Sequence, residues 1–143
     1  MSSLVIPEGY TLRTAHADIY AELVDDKKLF KRSIHLFTVA LAVGAILNIK
    51  SDQKKRDHDL IRLSTVTDQE QRLVIDILSR IVCKEPDKIA RGRELLAYAD
   101  GGLEKIWKDY QEVGVLDLPR LLEKLKGKCS LRIAELLTQN QPW

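Results

Sequence analysis

A chain of 143 residues with 23 basic and 21 acidic side chains, net charge +2, is one domain in size and too nearly neutral to coat nucleic acid by charge alone. Two cysteines, Cys83 and Cys129, stand far apart without a CxxC spacing, which excludes a small disulfide framework and points to a reducing compartment. The opening MSSLVIPEGYTL lacks the basic and apolar regions of a secretory signal, so a cytoplasmic location is expected.

Residues 1–13, with Pro7 and Gly9, read as an irregular lead-in. Thr14 is placed to cap a first helix through TAHADIYAELVDD, where Ala15, Ile19 and Leu23 recur at helical spacing. Charges at Asp25–Lys28 mark a bend before a second helix, about 29–49. From Ser33 to Ile49 this stretch runs seventeen residues without a formal charge. A membrane span needs ~20 mostly apolar residues, and His35, Thr38, Gly44 and Asn48 interrupt this one. A helix apolar all round suits instead the centre of a soluble bundle, and Ala40, Ala42, Gly44 and Ala45 would let a neighbouring helix approach closely.

The polar segment from Lys50 to Thr65 reads as a loop or short helix. Thr67 and Glu70 fit a capping box for a third helix, with Leu73, Val74, Ile77, Leu78, Ile81 and Val82 on one face and Arg72, Asp76 and Arg80 opposite. Pro86 stops it, and a fourth helix through Ile89, Leu95, Leu96 and Tyr98 is expected to end at Gly101–Gly102. A fifth carries Leu103, Ile106, Trp107 and Tyr110 to Gly114; Asp117 caps a sixth, LPRLLEKLKGK; SLRIAELLTQ forms a last one, and 139–143 is a short tail. No period-2 strand run stands out. The expected fold is all-α, a single-domain bundle of six or seven helices around the central apolar helix.

Motifs for catalysis are absent: no GxSxG, no Walker-A loop, no HExxH. His16, His35 and His58 fall on different segments with no second ligand one turn away, so no metal, cofactor or catalytic residue is predicted. The triplet Asp57-His58-Asp59 fits a solvated loop better than a cation site, because neighbours on a helix do not share a face. Trp107 and Tyr110 suit a core better than a base-stacking platform. Gly101-Gly102 suits a helix–helix turn better than a phosphate cradle.

Basic clustering is the positive signal. Lys50, Lys54, Lys55 and Arg56 face Asp52 alone, and Arg120, Lys124, Lys126, Lys128 and Arg132 face Glu123 alone. Such clusters can neutralise DNA phosphates, and they can equally keep a helical surface soluble. A helix-turn-helix across LLEKLKGKCSLRIAELL is opposed by Glu123, Lys126 and Lys128, which fall where small or apolar residues belong. Any contact with DNA is therefore expected at the backbone, without base reading.

At ADIYAELVDDKKLFKRSIHLFTVALAVGA and LLAYADGGLEKI the chain resembles the small helical accessory proteins of bacterial DNA phosphorothioation (Dnd) systems, the Dnd-associated protein 4 type. Tyr20, Leu23, Phe30, Phe37, Gly44, Tyr98, Ala99, Gly101 and Gly102 carry the likeness, over about two thirds of the chain; residues 50–66 and the last twenty depart from it. The resemblance implies a setting, anti-phage defence through sulfur-marked DNA, and no known activity. The expectation is a non-enzymatic accessory or regulatory subunit touching the DNA backbone through the nine basic residues above. The alternative is an adaptor that docks on a larger nuclease or ATPase subunit, or on its own copy, without binding DNA.

Overall fold

The computed structural model describes residues 6–53, 55–117, 119–121 and 123. In chain order they form β1 (Thr11–Thr14), α1 (Ala17–Tyr20) continuing as a π-helical turn over Ala21–Asp26, α2 (Ser33–Leu47), β2 (His58–Arg62), a 3-10 turn (Leu63–Thr65), α3 (Gln69–Val82) and α4 (Lys88–Val113).

α2 is the centre, as expected. One side of it, Ile34, Phe37, Leu41 and Ala45, packs with Leu12, Leu63, Ile75, Val82, Leu95 and Ala99. The other, Leu36, Ala40 and Val43, packs with Ile19, Tyr20, Leu23, Phe30, Leu103, Ile106 and Leu121. Each large apolar side chain so buried contributes ~1.5–3 kcal/mol before chain entropy is counted. No helix among the described residues is long and apolar enough to cross a membrane.

α4 corrects the reading of Gly101–Gly102. It is one helix of 26 residues where two were expected, and the glycines lie in its middle. A Cβ on Gly102 would collide with the Ala40 carbonyl, one on Gly44 with the Tyr98 carbonyl, and one on Gly101 with the Ile49 carbonyl. Gly in a helix interior costs about 1 kcal/mol against Ala. Here it permits α2 and α4 to meet backbone to backbone, the close approach anticipated from the small residues of α2. α2 then stops at Asn48, whose left-handed backbone (φ 55°) closes a cap with Ile49 N donating to Gly44 O at 2.9 Å.

The expected all-α class also needs correction, because β1 and β2 pair antiparallel: Thr11 with Arg62, Leu12 with Ile61, then Arg13 with Asp59 and Thr14 with His58 after a bulge. Thr11–Arg13 therefore leave the irregular lead-in, and His58–Arg62 are strand where a loop or short helix was expected. Thr14 caps no helix; it ends β1, and α1 begins after His16 with no side-chain cap. Asp68, not Thr67, caps α3, accepting from Glu70 N at 3.0 Å and Gln71 N at 3.3 Å. With the fourth and fifth helices merged, the described residues hold fewer helices than the six or seven expected. Asp117 does cap the start of the next segment, accepting from Arg120 N at 3.1 Å; the last expected helix and the tail lie outside the described residues.

Candidate functional site

α4 carries a row of buried or half-buried carboxylates that tie down other segments, with Asp100 and Glu104 sharing the stretches 14–16 and 51–56. Glu94 accepts from the backbone of Lys84 at 2.8 Å and of Glu85 at 3.2 Å, after α3. Asp100, 1% exposed, accepts from Thr14 Oγ1 at 2.6 Å, Ala15 N at 3.0 Å and Arg56 Nε at 3.1 Å. Glu104 lies 2.6 Å from Ser51 Oγ and 2.7 Å from His16 Nε2. Asp109 accepts twice from Arg120 at 3.2 Å. No buried polar side-chain atom among the described residues lacks a hydrogen-bond partner.

Three described members of the basic clusters, Lys50, Arg56 and Arg120, meet this row. Arg56 lies folded onto Asp100 and also donates to Ser51 O at 3.2 Å. Arg120 holds Asp109. Lys50 is 3.5 Å from Glu94, and its ammonium sits 5.3 Å from the centre of the Tyr98 ring. A guanidinium committed to a buried carboxylate has fewer donors left for a phosphate, and removing it strands the acid. Lys55 alone of the described cluster members points into solvent without such a partner among the ion pairs described. Lys54, Lys124, Lys126, Lys128 and Arg132 lie outside the described residues.

The fold assembles a different basic patch, scattered in sequence. Tyr10 lies half-buried with its ring against Gly92 of α4, where an added Cβ would fall 2.5 Å from the ring. Burial raises its pKa, while the charges of Arg93, Arg13 and Arg56 act against that shift. Arg13 is itself paired with Asp59 at 2.6 Å. Positions 10 and 13 reach α4 through β1, and position 56 through its ion pair with Asp100, so no local spacing announces the grouping.

A second feature lies on α3. Its inner face is Ile75, Ser79 and Val82. Leu73, Val74 and Ile77 are 58%, 38% and 45% exposed. Of the apolar face expected to enter the core, Leu73, Val74 and Ile77 are thus turned outward, while Leu78 and Ile81 pack against the first core cluster and Val82 is buried. Ser79 can take an inward place because its hydroxyl donates to Asp76 O at 2.9 Å. Thr38 of α2 and Gln71 of α3 are also hydrogen-bonded, a polar tie between the two helices.

Asp57, His58 and Asp59 are exposed at the start of β2, with Asp59 engaged by Arg13. No group of three His, Cys, Asp or Glu among the described residues is placed to hold a metal ion. Cys83 is buried, and burial first, then Glu94, pushes its thiol up to about 12. Trp107 and Tyr110 lie 5.6 Å apart, both half-buried against the second core cluster. Comparison with protein-family models, with curated proteins and with solved structures finds no match.

Proposed function

We propose that the chain is a non-enzymatic accessory subunit that acts through protein contacts, in the setting its resemblance implies, bacterial phosphorothioation-linked defence. The outward face of α3 carries the reading: Leu73, Val74 and Ile77 together expose a stripe that another protein surface can dehydrate. Covering such a stripe contributes at ~25 cal/mol per Å² of apolar area, whereas leaving it wet contributes nothing. The test is co-expression with a nuclease or ATPase subunit of a phosphorothioation system, followed by size-exclusion chromatography. Co-elution that Ile77→Glu and Leu73→Glu abolish, with helicity intact, supports the reading. Co-elution unaffected by both variants removes the face from it.

The arginines acting on Tyr10 favour a second reading, contact with the DNA backbone, with Arg93 as their exposed member and Lys55 the exposed residue beside Arg56 in sequence. Anisotropy titration with a short duplex, plain and phosphorothioated, at several salt concentrations addresses it. A log–log salt slope of several units, reduced by Arg93→Glu and Lys55→Glu, would establish phosphate contact. No binding at low salt would end it. Arg56 and Arg120 are poor probes, since each neutralises a buried carboxylate.

A further inference from the structure

We propose that the open groove beside the π-helical turn binds a nucleoside phosphate, free or at the end of a strand, with the nucleoside against its apolar wall and the phosphates on its lysines. The groove, about 560 Å³ in volume, is lined by Val24, Asp25, Lys28, Leu29, Phe30 and Lys31. Small-molecule sites are typically ~300–1,000 Å³. None of the residues on which the two readings above rest takes part in it.

The lining brings three chemistries together. Val24, Leu29 and Phe30 form the apolar wall; Leu29 is 45% exposed, and Val24 and Phe30 back onto the second core cluster. Such a wall can take the flat face of a base. Asp25 offers a carboxylate that can accept from ribose hydroxyls or a base amine. Lys28 and Lys31 offer ammonium groups to phosphate oxygens, and Lys27 and Arg32 stand exposed next to them in sequence. Phosphate alone would need only the cations, and an apolar ligand only the wall. A nucleoside phosphate uses all three.

These cations are available. Lys50, Arg56 and Arg120 are each claimed by a carboxylate of α4. Lys27, Lys28, Lys31 and Arg32 enter none of the ion pairs among the described residues, although Asp25 and Asp26 precede them. The backbone holds the lining in place: Lys27 N donates to Glu22 O and Leu29 N to Leu23 O, both at 2.9 Å, closing the π-helical turn onto buried Leu23. Between them Lys28 takes a left-handed backbone (φ 53°), which costs a residue with a Cβ more than it costs Gly. A side chain present at such a position is grounds for seeking its use, and here it lines the groove.

Isothermal titration calorimetry of the full chain with ATP at low salt tests this. A dissociation constant on the order of 100 μM is expected for an open site of this kind. Adenosine and inorganic tripolyphosphate, each lacking one half of the ligand, should bind roughly tenfold more weakly or less. A 5′-phosphorylated oligo(dA) separates the two sources: the tighter of it and ATP names the ligand, and either supports the site. Lys31→Glu and Lys28→Gly should each weaken binding roughly fivefold or more. Lys28→Gly also relieves the left-handed residue, so it should melt no lower than wild type, and its lost affinity is then not lost folding. Lys88→Glu, exposed at the start of α4, should leave affinity unchanged. The site is overturned if neither ATP nor the oligonucleotide binds up to about 1 mM. Tripolyphosphate as tight as ATP, or affinity indifferent to both lysine variants, overturns it as well.

Discussion

Gly102→Ala places one methyl group where α4 crosses α2. In the folded chain that carbon would lie 2.6 Å from Gly44 N and 2.8 Å from the Ala40 carbonyl carbon, and closer still to the Ala40 oxygen. All are backbone atoms, with no side chain to swing aside. Relief requires the helices to part along the seam where Ala40, Gly44, Tyr98 and Gly102 meet, loosening Leu41, Leu95 and Leu103, each 0% exposed. Overpacking of a well-packed core costs about 1–3 kcal/mol, occasionally more, and a backbone clash belongs at the upper end. Replacing a helical glycine by alanine returns about 1 kcal/mol. The net expectation is a loss of about 2 kcal/mol. With a urea dependence of ~2 kcal/mol per molar, the unfolding midpoint falls by about 1 M. Gly9→Ala is the control: nothing lies within 4 Å of its added carbon, and a change within about 0.5 kcal/mol is expected there. Equilibrium urea unfolding followed by circular dichroism measures both. A Gly102→Ala protein as stable as wild type would falsify the backbone contact between α2 and α4.

Arg56→Ala should destabilise by about 3 kcal/mol, because it leaves Asp100 charged and 1% exposed; Arg56→Ala in an Asp100→Asn background should lose much less, and equal losses in the two backgrounds would show no coupling. Cys83 should react with thiol reagents at pH 8 about a thousandfold slower than an ordinary thiol, in a Cys129→Ser chain, since its pKa is raised from 9.0 to about 12; ordinary reactivity in the folded protein contradicts its burial. Stability should fall as pH rises past about 9. The unfolded chain then sheds protons that folded Cys83, held near 12, and folded Tyr20, raised by burial and then by Asp100, retain. Thermal melts at pH 7, 9 and 10 check the direction, and a rising midpoint would contradict it.

What the sequence disclosed follows from the range of the forces involved. α2 was legible because a long uncharged run too short and interrupted to span a membrane has few places to go but a core. β2 was not, because HDLIR has no apolar alternation and its pairing partner lies more than forty residues away. The exposure of Leu73, Val74 and Ile77 was hidden for a related reason: periodicity identifies an apolar face, but only the partners available decide how much of that face is buried. Gly101-Gly102 was read as a permissive turn rather than a phosphate cradle, and only the facing Gly44 and Ala40 show that these glycines serve a close approach of helices. The basic loop at 50–56 was visible as charge, while the carboxylates that claim Lys50 and Arg56 are spread along α4 and converge only in three dimensions. Arg13 and Arg93 went unnoticed because eighty residues separate them.

The row of acids along α4 bears on how the molecule opens. Glu94 grips the stretch after α3, Asp100 and Glu104 together grip residues 14–16 and 51–56, and Asp109 grips Arg120, so releasing one of these need not release the next. Amide hydrogen exchange should divide accordingly. The segments around Lys84, Ser51 and Arg120 should exchange as separate local units at modest free energies, while the amides of α2 and mid-α4 exchange only when the whole domain unfolds. A surface could thus be remodelled, at one end of the helix, without the core taking part.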